Sequence, residues 1–354
     1  MMTLVNTAMH HQPILALAPM DGITNAITRE LLTQLNTDAG GMSAVQLCAS
    51  EFVRVTQAPI PPKVLLREVP ELKRDGCTPC GVPVFVQLLG GDPAPMAETA
   101  RRAAALGARG IDINFGCPAK TVNRHDGGAA LLKYPERMTA ITAAMRQALP
   151  DHVPLSVKIR TGWDSAAHVE VLAQAAERGG ATFLTVHGRT RLEMYKPAAN
   201  MDAVARARAA VSIPVIANGD LLSPSTIASC AAKTRCDAFM IGRGAMAQPN
   251  LFSQMARHDP PFDERRYAEF LLTYVERMID ATGSDMHALG RLKSWLCLAS
   301  KVSPERKVLF DSLKRAATLS QAIALLCSPD HLASTIHARI EAHDLDAQQQ
   351  STGR

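Results

Sequence analysis

Polar and reactive side chains recur in this chain at the ends of short apolar runs. In order they are Met20-Asp21, Glu51, Gln87, Asn114 to Cys117, Lys158 with Arg160, His187 with Arg189, Asn218-Gly219-Asp220 and Gly242-Arg243. Separate segments that all deliver such residues to the same end argue for one shared site rather than a scatter over helix exteriors. The last two clusters have a particular chemistry. Glycines in Asn218-Gly219-Asp220 and Gly242-Arg243-Gly244 let backbone N–H groups approach an anion closely, and Arg243 could add a forked, charge-assisted contact. Each hydrogen bond to a charged group contributes roughly 1.5–3 kcal/mol, which makes a phosphate the expected occupant.

These residues need elements that bring them together. Apolar runs rich in β-branched residues read as buried parallel strands over Ile14–Met20, Ala44–Ser50, Val84–Leu89, Gly110–Phe115, Leu155–Arg160, Phe183–His187, Val215–Asn218 and Ala238–Ile241. Amphipathic stretches between them read as helices over Thr24–Leu35, Ala94–Leu106, Pro135–Leu149, Ser165–Arg178, Met201–Ala210 and Ser223–Lys233. Gly107, Gly179 and Gly180 are placed to close helices, and Pro154 and Pro214 introduce strands. Strict alternation of strand and helix, with strands apolar on both faces, predicts a parallel sheet covered by helices. Eight such units fit a closed (β/α)8 TIM barrel of about 250 residues. A doubly wound open sheet is the alternative, weakened because no Gly-x-Gly-x-x-Gly turn follows the first strand. After Phe262 the periodicity is helical only, and Ser303-Pro304 has the form of an N-cap with proline at the first helical position. The expected division is an N-terminal extension over 1–13, a barrel over 14–258, a smaller all-helical domain over 262–330, and a frayed tail over 331–354.

Composition narrows the setting. The chain has 354 residues, 47% of them hydrophobic, with a net charge of +5 and 4% aromatics. So few aromatics argue against a platform that stacks many bases. A nucleic-acid partner would be held mainly by its phosphates. The eight cysteines show no framework of even spacings, which reads as reduced thiols in a cytoplasm. Met1 to Gln12 carries no Lys or Arg and no signal-like apolar core, and no apolar run is long enough to span a membrane. Cys77-Thr78-Pro79-Cys80 has metal-like spacing but no companion pair, so no metal is expected. Trp163 and Trp295 read as packing or interface residues.

Seven motifs carry a resemblance. They are Ala18-Pro19-Met20-Asp21-Gly22, Gln87-Leu88-Leu89-Gly90, Asn114-Phe115-Gly116-Cys117-Pro118, Lys158-Ile159-Arg160-Thr161-Gly162-Trp163, His187-Gly188-Arg189-Thr190, Asn218-Gly219-Asp220 and Met240-Ile241-Gly242-Arg243-Gly244. In this order and on these strands the sequence resembles the tRNA-dihydrouridine synthases over about residues 14 to 328. Each motif alone is a weak signal; the ordered set is specific. The resemblance implies FMN in the barrel mouth, NADPH as electron source, and reduction of the C5–C6 bond of a uridine in tRNA. Carried over by motif, Pro19, Met20 and Asp21 lie along the flavin ring with Gln87, and Lys158 and His187 face its pyrimidine end. Asn218, Gly219, Asp220, Gly242 and Arg243 hold the ribityl phosphate. Cys117 is implied as the proton donor to uracil C5, for which it should be a thiol rather than a thiolate. Asn114 would contact the uracil edge and Arg160 the base or its phosphate, and Lys120 to Ala130 reads as a lid.

The basic excess sits late in the chain. Between Met286 and Arg315 stand Arg291, Lys293, Lys301, Arg306, Lys307, Lys314 and Arg315 against only Glu305 and Asp311. On the domain that the family uses for docking, this predicts a track for tRNA phosphates, and Arg54 could add a contact on the barrel side. Glu51-Phe52-Val53-Arg54-Val55 and Arg291-Leu292-Lys293-Ser294-Trp295-Leu296 look most like the bacterial C-type subgroup, which modifies position 16 in the D-loop. Asp21, Phe115, an insertion near Thr37 to Ala44 and a longer tail depart from that subgroup. A flavin enzyme of free pyrimidines, similar to dihydroorotate dehydrogenase, and a non-enzymatic tRNA chaperone are the alternatives. A monomer is expected.

Overall fold

The structure, a computed structural model, describes residues 13–123, 127–196 and 198–327. Residues 1–12 of the expected extension and the whole expected tail lie outside the described residues. The contacts of the chain divide it into two compact units. One runs through Ala245 and adds Asn250–Asp259, and the other comprises Met246–Pro249 with the chain from Pro260 onward.

In the first unit the strands are β1 (Ile14–Leu17), β2 (Leu47–Ala49), β3 (Val53–Arg54), β4 (Val84–Leu89), β5 (Ile111–Phe115), β6 (Leu155–Arg160), β7 (Phe183–His187), β8 (Val215–Asn218) and β9 (Ala238–Ile241). All pairings are parallel. β1 pairs with β2 and β9, β2 with β4, and the rest follow in sequence order, so eight strands close a TIM barrel. All eight predicted strands are present. The addition is β3, a two-residue strand that lies along the end of β4 and carries Arg54 opposite Leu89.

The surrounding helices are α1 (Ala26–Leu35), α2 (Pro62–Glu68), α3 (Pro93–Ala105), α4 (Lys120–Asn123), α5 (Pro135–Ala148), α6 (Val169–Arg178), α7 (Met201–Ala209), α8 (Pro224–Thr234), α9 (Arg243–Ala247) and α10 (Leu251–Arg257). Their starts follow from capping chemistry: Asn25, Asp92 and Asn200 accept from first-turn N–H groups, and Ser223 forms a reciprocal box with Thr226. The expected helix from Ser165 begins four residues later, at Val169. The sequence reading assigned nothing to Pro62–Arg74. There α2 and a 3-10 turn over Pro70–Arg74 are fastened by a buried ion pair in which the Arg29 guanidinium forks onto Glu71 at 2.8 Å per contact.

Side chains alternate across each strand, which separates the inside of the barrel from its coat of helices. Ala16, Ala18, Leu47, Phe85, Phe183, Ile216, Ala238 and Met240 form one buried interior cluster, with the Phe85 and Phe183 rings 5.7 Å apart. Two residues further along, the same inward positions are Gln87 on β4, His187 by way of Thr185 on β7, and Asn218 on β8. The polar layer is therefore the next floor of an apolar barrel.

In the second unit α11 (Glu264–Thr282), α12 (Asp285–Ala299), α13 (Pro304–Leu313) and α14 (Leu319–Leu326) pack around Trp295. As expected from Ser303-Pro304, Ser303 caps α13 and accepts from Arg306 N. Trp295 is fully buried, its ring 5.1 Å from Tyr274 and 5.6 Å from Phe270, and its Nε1 donates to Met246 O at 3.0 Å. Tyr267 donates to the same carbonyl at 2.8 Å, which explains why Met246–Pro249 belong to the helical unit. Trp295→Ala removes this centre and should destabilise the unit by about 3–5 kcal/mol. The check is denaturant unfolding followed by circular dichroism; a midpoint unchanged from the parent would contradict the packing role. Among the described residues no helix is long and apolar enough to cross a membrane.

Candidate active site

The polar floor begins with Asp112, buried in β5 between two isoleucines. A carboxylate inside a barrel must find donors, and the register supplies them: Gln87 on β4 and Ser156 on β6 are its direct neighbours. Gln87 Nε2 donates to Asp112 Oδ2 at 2.7 Å and Ser156 Oγ to Oδ1 at 2.5 Å. Burial raises the Asp112 pKa to about 6, against the lowering influence of Ser156, Gln87 and the charge of Lys158.

Because Asp112 only accepts from Gln87 when ionised, the Gln87 amide has one orientation, with Oε1 turned to Asn114. Asn114 Nδ2 donates to it at 2.8 Å. That in turn leaves Asn114 Oδ1 to accept from Gly116 N and Cys117 N, both at 2.9 Å. A chain of side chains thus runs from the barrel interior to the backbone of the Cys117 loop.

Cys117 is half-buried, and its pKa is raised. Burial is the largest cause, and nearby Asp21 adds to it; an N–H from Ala119 and the charges of Arg160 and Arg54 work the other way. The balance keeps a thiol at neutral pH. The same influences place Asp21, Arg54 and Arg160 around Cys117, although they come from three separate segments. Beneath the loop, Gly128 at the start of a 3-10 turn (Gly128–Lys133) packs on Cys117. Asn123 ties the flanks together, donating to Cys117 O and Ala119 O and accepting from Ala130 N. The lid expected over Lys120 to Ala130 lies partly outside the described residues, at 124–126.

Lys158, Arg160 and His187 stand on the next two strands. Burial, then repulsion from Arg160, pushes the Lys158 pKa down to about 8 despite Asp112, and its Nζ donates to Asn218 Oδ1 at 3.1 Å. Asn218 is itself oriented by donating to Met240 O at 2.7 Å. Burial, followed by the charges of Arg160, Lys158, Arg189 and Arg243, holds the His187 pKa well below its usual range. His187 is therefore a neutral ring, and its Nδ1 is buried with no hydrogen-bond partner among the described residues. Arg160 has a structural role that the sequence did not indicate. Its Nε donates to Gly116 O at 2.9 Å and its Nη1 to Thr190 O at 3.0 Å and Met194 O at 2.8 Å. The guanidinium fastens the Cys117 loop to the loop after β7.

The phosphate-type cluster is organised by Asp220. It accepts from Arg189 at 2.5 Å, Arg243 at 2.8 Å and Ala199 N at 2.9 Å. Burial works to raise its pKa, but these partners outweigh it and hold the carboxyl below its ordinary range. Two arginines on one carboxylate leave a net positive cradle. Gly219 is required in it: its φ is +122°, and a Cβ would come within 2.9 Å of Ala199 Cβ. Gly242 sits against Met20, whose sulfur would be 3.3 Å from an added Cβ, while Pro19 is half-buried beside it. The structure thus brings Met20, Gln87, Asn114, Cys117, Lys158, His187, Asn218, Asp220 and Arg243 to one barrel end. Sequence reasoning gave no role to Asp112 or Ser156, and it marked Arg189 only as one of the polar strand-end residues. A charged residue within a strand buried on both faces was the available signal for Asp112.

Arg291, Lys293, Lys314 and Arg315 belong to the helical unit. Lys293 donates to Ala316 O at 2.6 Å, Lys307 and Lys314 share Asp311, and Arg315 is exposed. Arg306 departs from the expected track. It is 2% exposed, lies 3.5 Å from the Tyr267 ring centre and pairs with Glu264 at 2.5 Å. An arginine with its charge and face satisfied internally is a core residue, so the exposed basic surface is smaller than the residue count implies. Among the described residues no group of three His, Cys, Asp or Glu side chains could hold a metal ion.

Comparison with known proteins gives this geometry a family. The dihydrouridine synthase family matches residues 16–343. The chain is 39% identical over 315 residues to the tRNA-dihydrouridine(16) synthase of Shewanella oneidensis, covering 89% of this chain and 98% of that one. It is 42% identical over 300 residues to the tRNA-dihydrouridine(16) synthase of Escherichia coli strain K12, covering 84% and 92%. Among solved structures, a 2-naphthoyl-CoA reductase bound to 2-naphthoyl-CoA shares the fold with a TM-score of 0.53 at 12% identity, over 70% of this chain and 50% of that one. A barrel whose mouth gathers a protonated thiol, a neutral histidine, a buried lysine and an arginine-lined anion cradle, with this degree of identity over most of its length, is an enzyme that belongs to the dihydrouridine synthase family.

Proposed function

We propose that this chain is an FMN-dependent, NADPH-driven enzyme that reduces the C5–C6 bond of a uridine in the tRNA D-loop, at position 16, to 5,6-dihydrouridine. The observation that carries the reading is Cys117: a thiol kept protonated by burial, on a loop held in place by Asn114 and Arg160. Relatives at about 40% identity named tRNA-dihydrouridine(16) synthase support the substrate and the position.

The residues at the mouth fit a flavin mononucleotide. The partnerless His187 Nδ1 calls for a hydrogen-bonding ligand atom, and the Arg189–Asp220–Arg243 cluster, with the Gly219 backbone beside it, suits a phosphate. Pro19, Met20, Asp21, Gln87, Lys158 and His187 would hold the ring, and Asn218, Gly219, Asp220, Gly242 and Arg243 the phosphate. When bound, the flavin supplies the hydride for C6. Cys117 Sγ–H gives the proton to C5, and Asn114 positions the loop that carries the thiol. Lys158, charged below about pH 8, stabilises negative charge that develops at the mouth. Since that charge is lost as pH rises through the depressed Lys158 pKa, the reduction rate should fall above about pH 8. A Lys158→Arg variant, which stays charged, should lose this alkaline limb.

The tRNA would be held by Arg54 on the barrel and by Arg291, Lys293, Lys314 and Arg315 on the helical unit, so its binding should weaken steeply with salt. The deciding experiment incubates purified protein with NADPH and tRNA lacking dihydrouridine, then maps the product to a nucleotide. Dihydrouridine at position 16 is the expected result. Product at another position would overturn the position while keeping the reaction. Flavin-loaded protein that modifies no tRNA would overturn the reading altogether.

A further inference from the structure

The turn after β6 carries a feature that uridine reduction does not use. Gly162 is obligatory there, because a Cβ would fall 1.9 Å from the Ser165 carbonyl oxygen. The tight turn sets Trp163, half-buried, on the barrel rim. Lys133 Nζ stands 4.4 Å and the Arg191 guanidinium 4.8 Å from the indole centre. Among the described residues neither cation has a carboxylate partner, and the Arg191 Nε is buried without a hydrogen bond. Beside the indole lies a recess of about 390 Å³ lined by Lys133, Trp163, Asp164, Ser165, His168 and Val171, among others. Each cation is close in the chain to the catalytic floor. Trp163 follows Arg160, Arg191 follows His187, and Lys133 ends the 3-10 turn whose first residue packs on Cys117.

We propose that this recess receives the adenosine 2′-phosphate end of the dinucleotide reductant and so sets the preference for NADPH over NADH. The inference rests on the proposed use of NADPH and names the site that would select it. A recess lined by an indole together with Leu132, Pro135, Val171 and Leu172 suits a planar base. Lys133, exposed and without a carboxylate partner, can swing from the ring to a phosphate, and Arg191 over the same indole, though not lining the recess, adds positive potential. Asp164 excludes a phosphate from its own side and can accept from a ribose hydroxyl or a ring amine. A terminal phosphomonoester carries about −1.5 to −2 charge at neutral pH and can enter a recess.

The chain has two tryptophans, and Trp295 is fully buried. Trp295 emits as a constant background away from the recess, so a ligand-dependent change in tryptophan fluorescence reports Trp163, independently of catalysis. Titrating the flavin-loaded protein with adenosine 2′,5′-bisphosphate should give a saturable quench, weakened about tenfold by Lys133→Ala through loss of one charge-assisted contact. Adenosine 5′-monophosphate should quench far less. In the flavin-reduction half-reaction Lys133→Ala should raise KM for NADPH about tenfold and leave that for NADH unchanged, and in the full reaction KM for tRNA should be unchanged. Equal effects on the two dinucleotides, a rise in KM for tRNA alone, or no quench by the bisphosphate would each overturn the proposal. Failure of the underlying reading looks different: the unaltered protein would then oxidise neither dinucleotide.

Discussion

Cys117→Ala is expected to slow uridine reduction by about 10²–10⁴-fold, the range typical of losing a positioned proton donor. NADPH-driven bleaching of the flavin should proceed at the parental rate, because the thiol acts only when uracil is present. KM for tRNA should change little, because the residues proposed to hold tRNA do not include this side chain. The reason to expect so specific a loss is structural economy at the site. The loop backbone is fixed by Asn114 Oδ1, by Arg160 on Gly116 O and by Asn123 on Cys117 O, none of which involves the sulfur. Alanine removes Sγ and leaves those bonds in place. Cys117→Ser keeps a hydroxyl, but a much weaker acid, and should recover only a small part of the rate. Burial raises the Cys117 pKa, so the group donates as a thiol across neutral pH and loses its proton only as pH rises through that raised value. A variant lacking Sγ that reduces tRNA at the parental rate would remove Cys117 from the chemistry.

The barrel was legible because its signals repeat. Eight apolar runs of strand length, each entered by a turn and left through polar residues, admit few architectures, and the strand register then carries Gln87, Lys158, His187 and Asn218 inward together. Caps such as Ser303 and Ser223 were legible for the same local reason: the side chain that closes a helix lies next to it in sequence. What stayed hidden is what depends on partners far along the chain. Arg306 looks like any member of a basic run until Tyr267 and Glu264, some forty residues away, are folded around it. Arg160 reads only as a cation for substrate, yet its Nε and Nη1 also tie together two other loops through their carbonyls. β3 is too short to produce a period, and it exists because β4 extends past β2 and offers it an edge. Asp112 was passed over because a single acid between isoleucines does not disturb a strand pattern, although the physics of burial demands that it be paired.

Asp112→Ala should lower kcat by about 10²-fold, the loss that a small misplacement of reacting groups can cause, without any contact between Asp112 and substrate. Without the carboxylate, Gln87 Nε2 has no acceptor and its amide is free to turn over. Asn114 then loses the oxygen that fixes its own amide, and the Gly116 and Cys117 N–H groups lose their shared acceptor. Asp112 is thus a positioning residue that acts through two amides. Asp112→Asn separates this role from simple packing: Asn Oδ1 can still accept from Gln87 while its amide faces Ser156, whose hydroxyl can accept, so most activity should return. The pH profile gives a second check. With a pKa raised to about 6, Asp112 becomes protonated as pH falls through that value, and like asparagine it can then still accept from Gln87 on one oxygen while its O–H donates to Ser156. The chain from Asp112 to Cys117 should therefore add no acid limb near pH 6 to the parent profile, and the acid side of Asp112→Asn should match it. Acid unfolding adds no such limb from this group either. A carboxyl whose folded pKa exceeds its unfolded value of 3.8 takes stability away as pH rises from about 4 to 6, so protonating it stabilises the fold. Asp112→Asn as slow as Asp112→Ala would show that the hydrogen bonds from Asp112 to Cys117 do not govern the reaction.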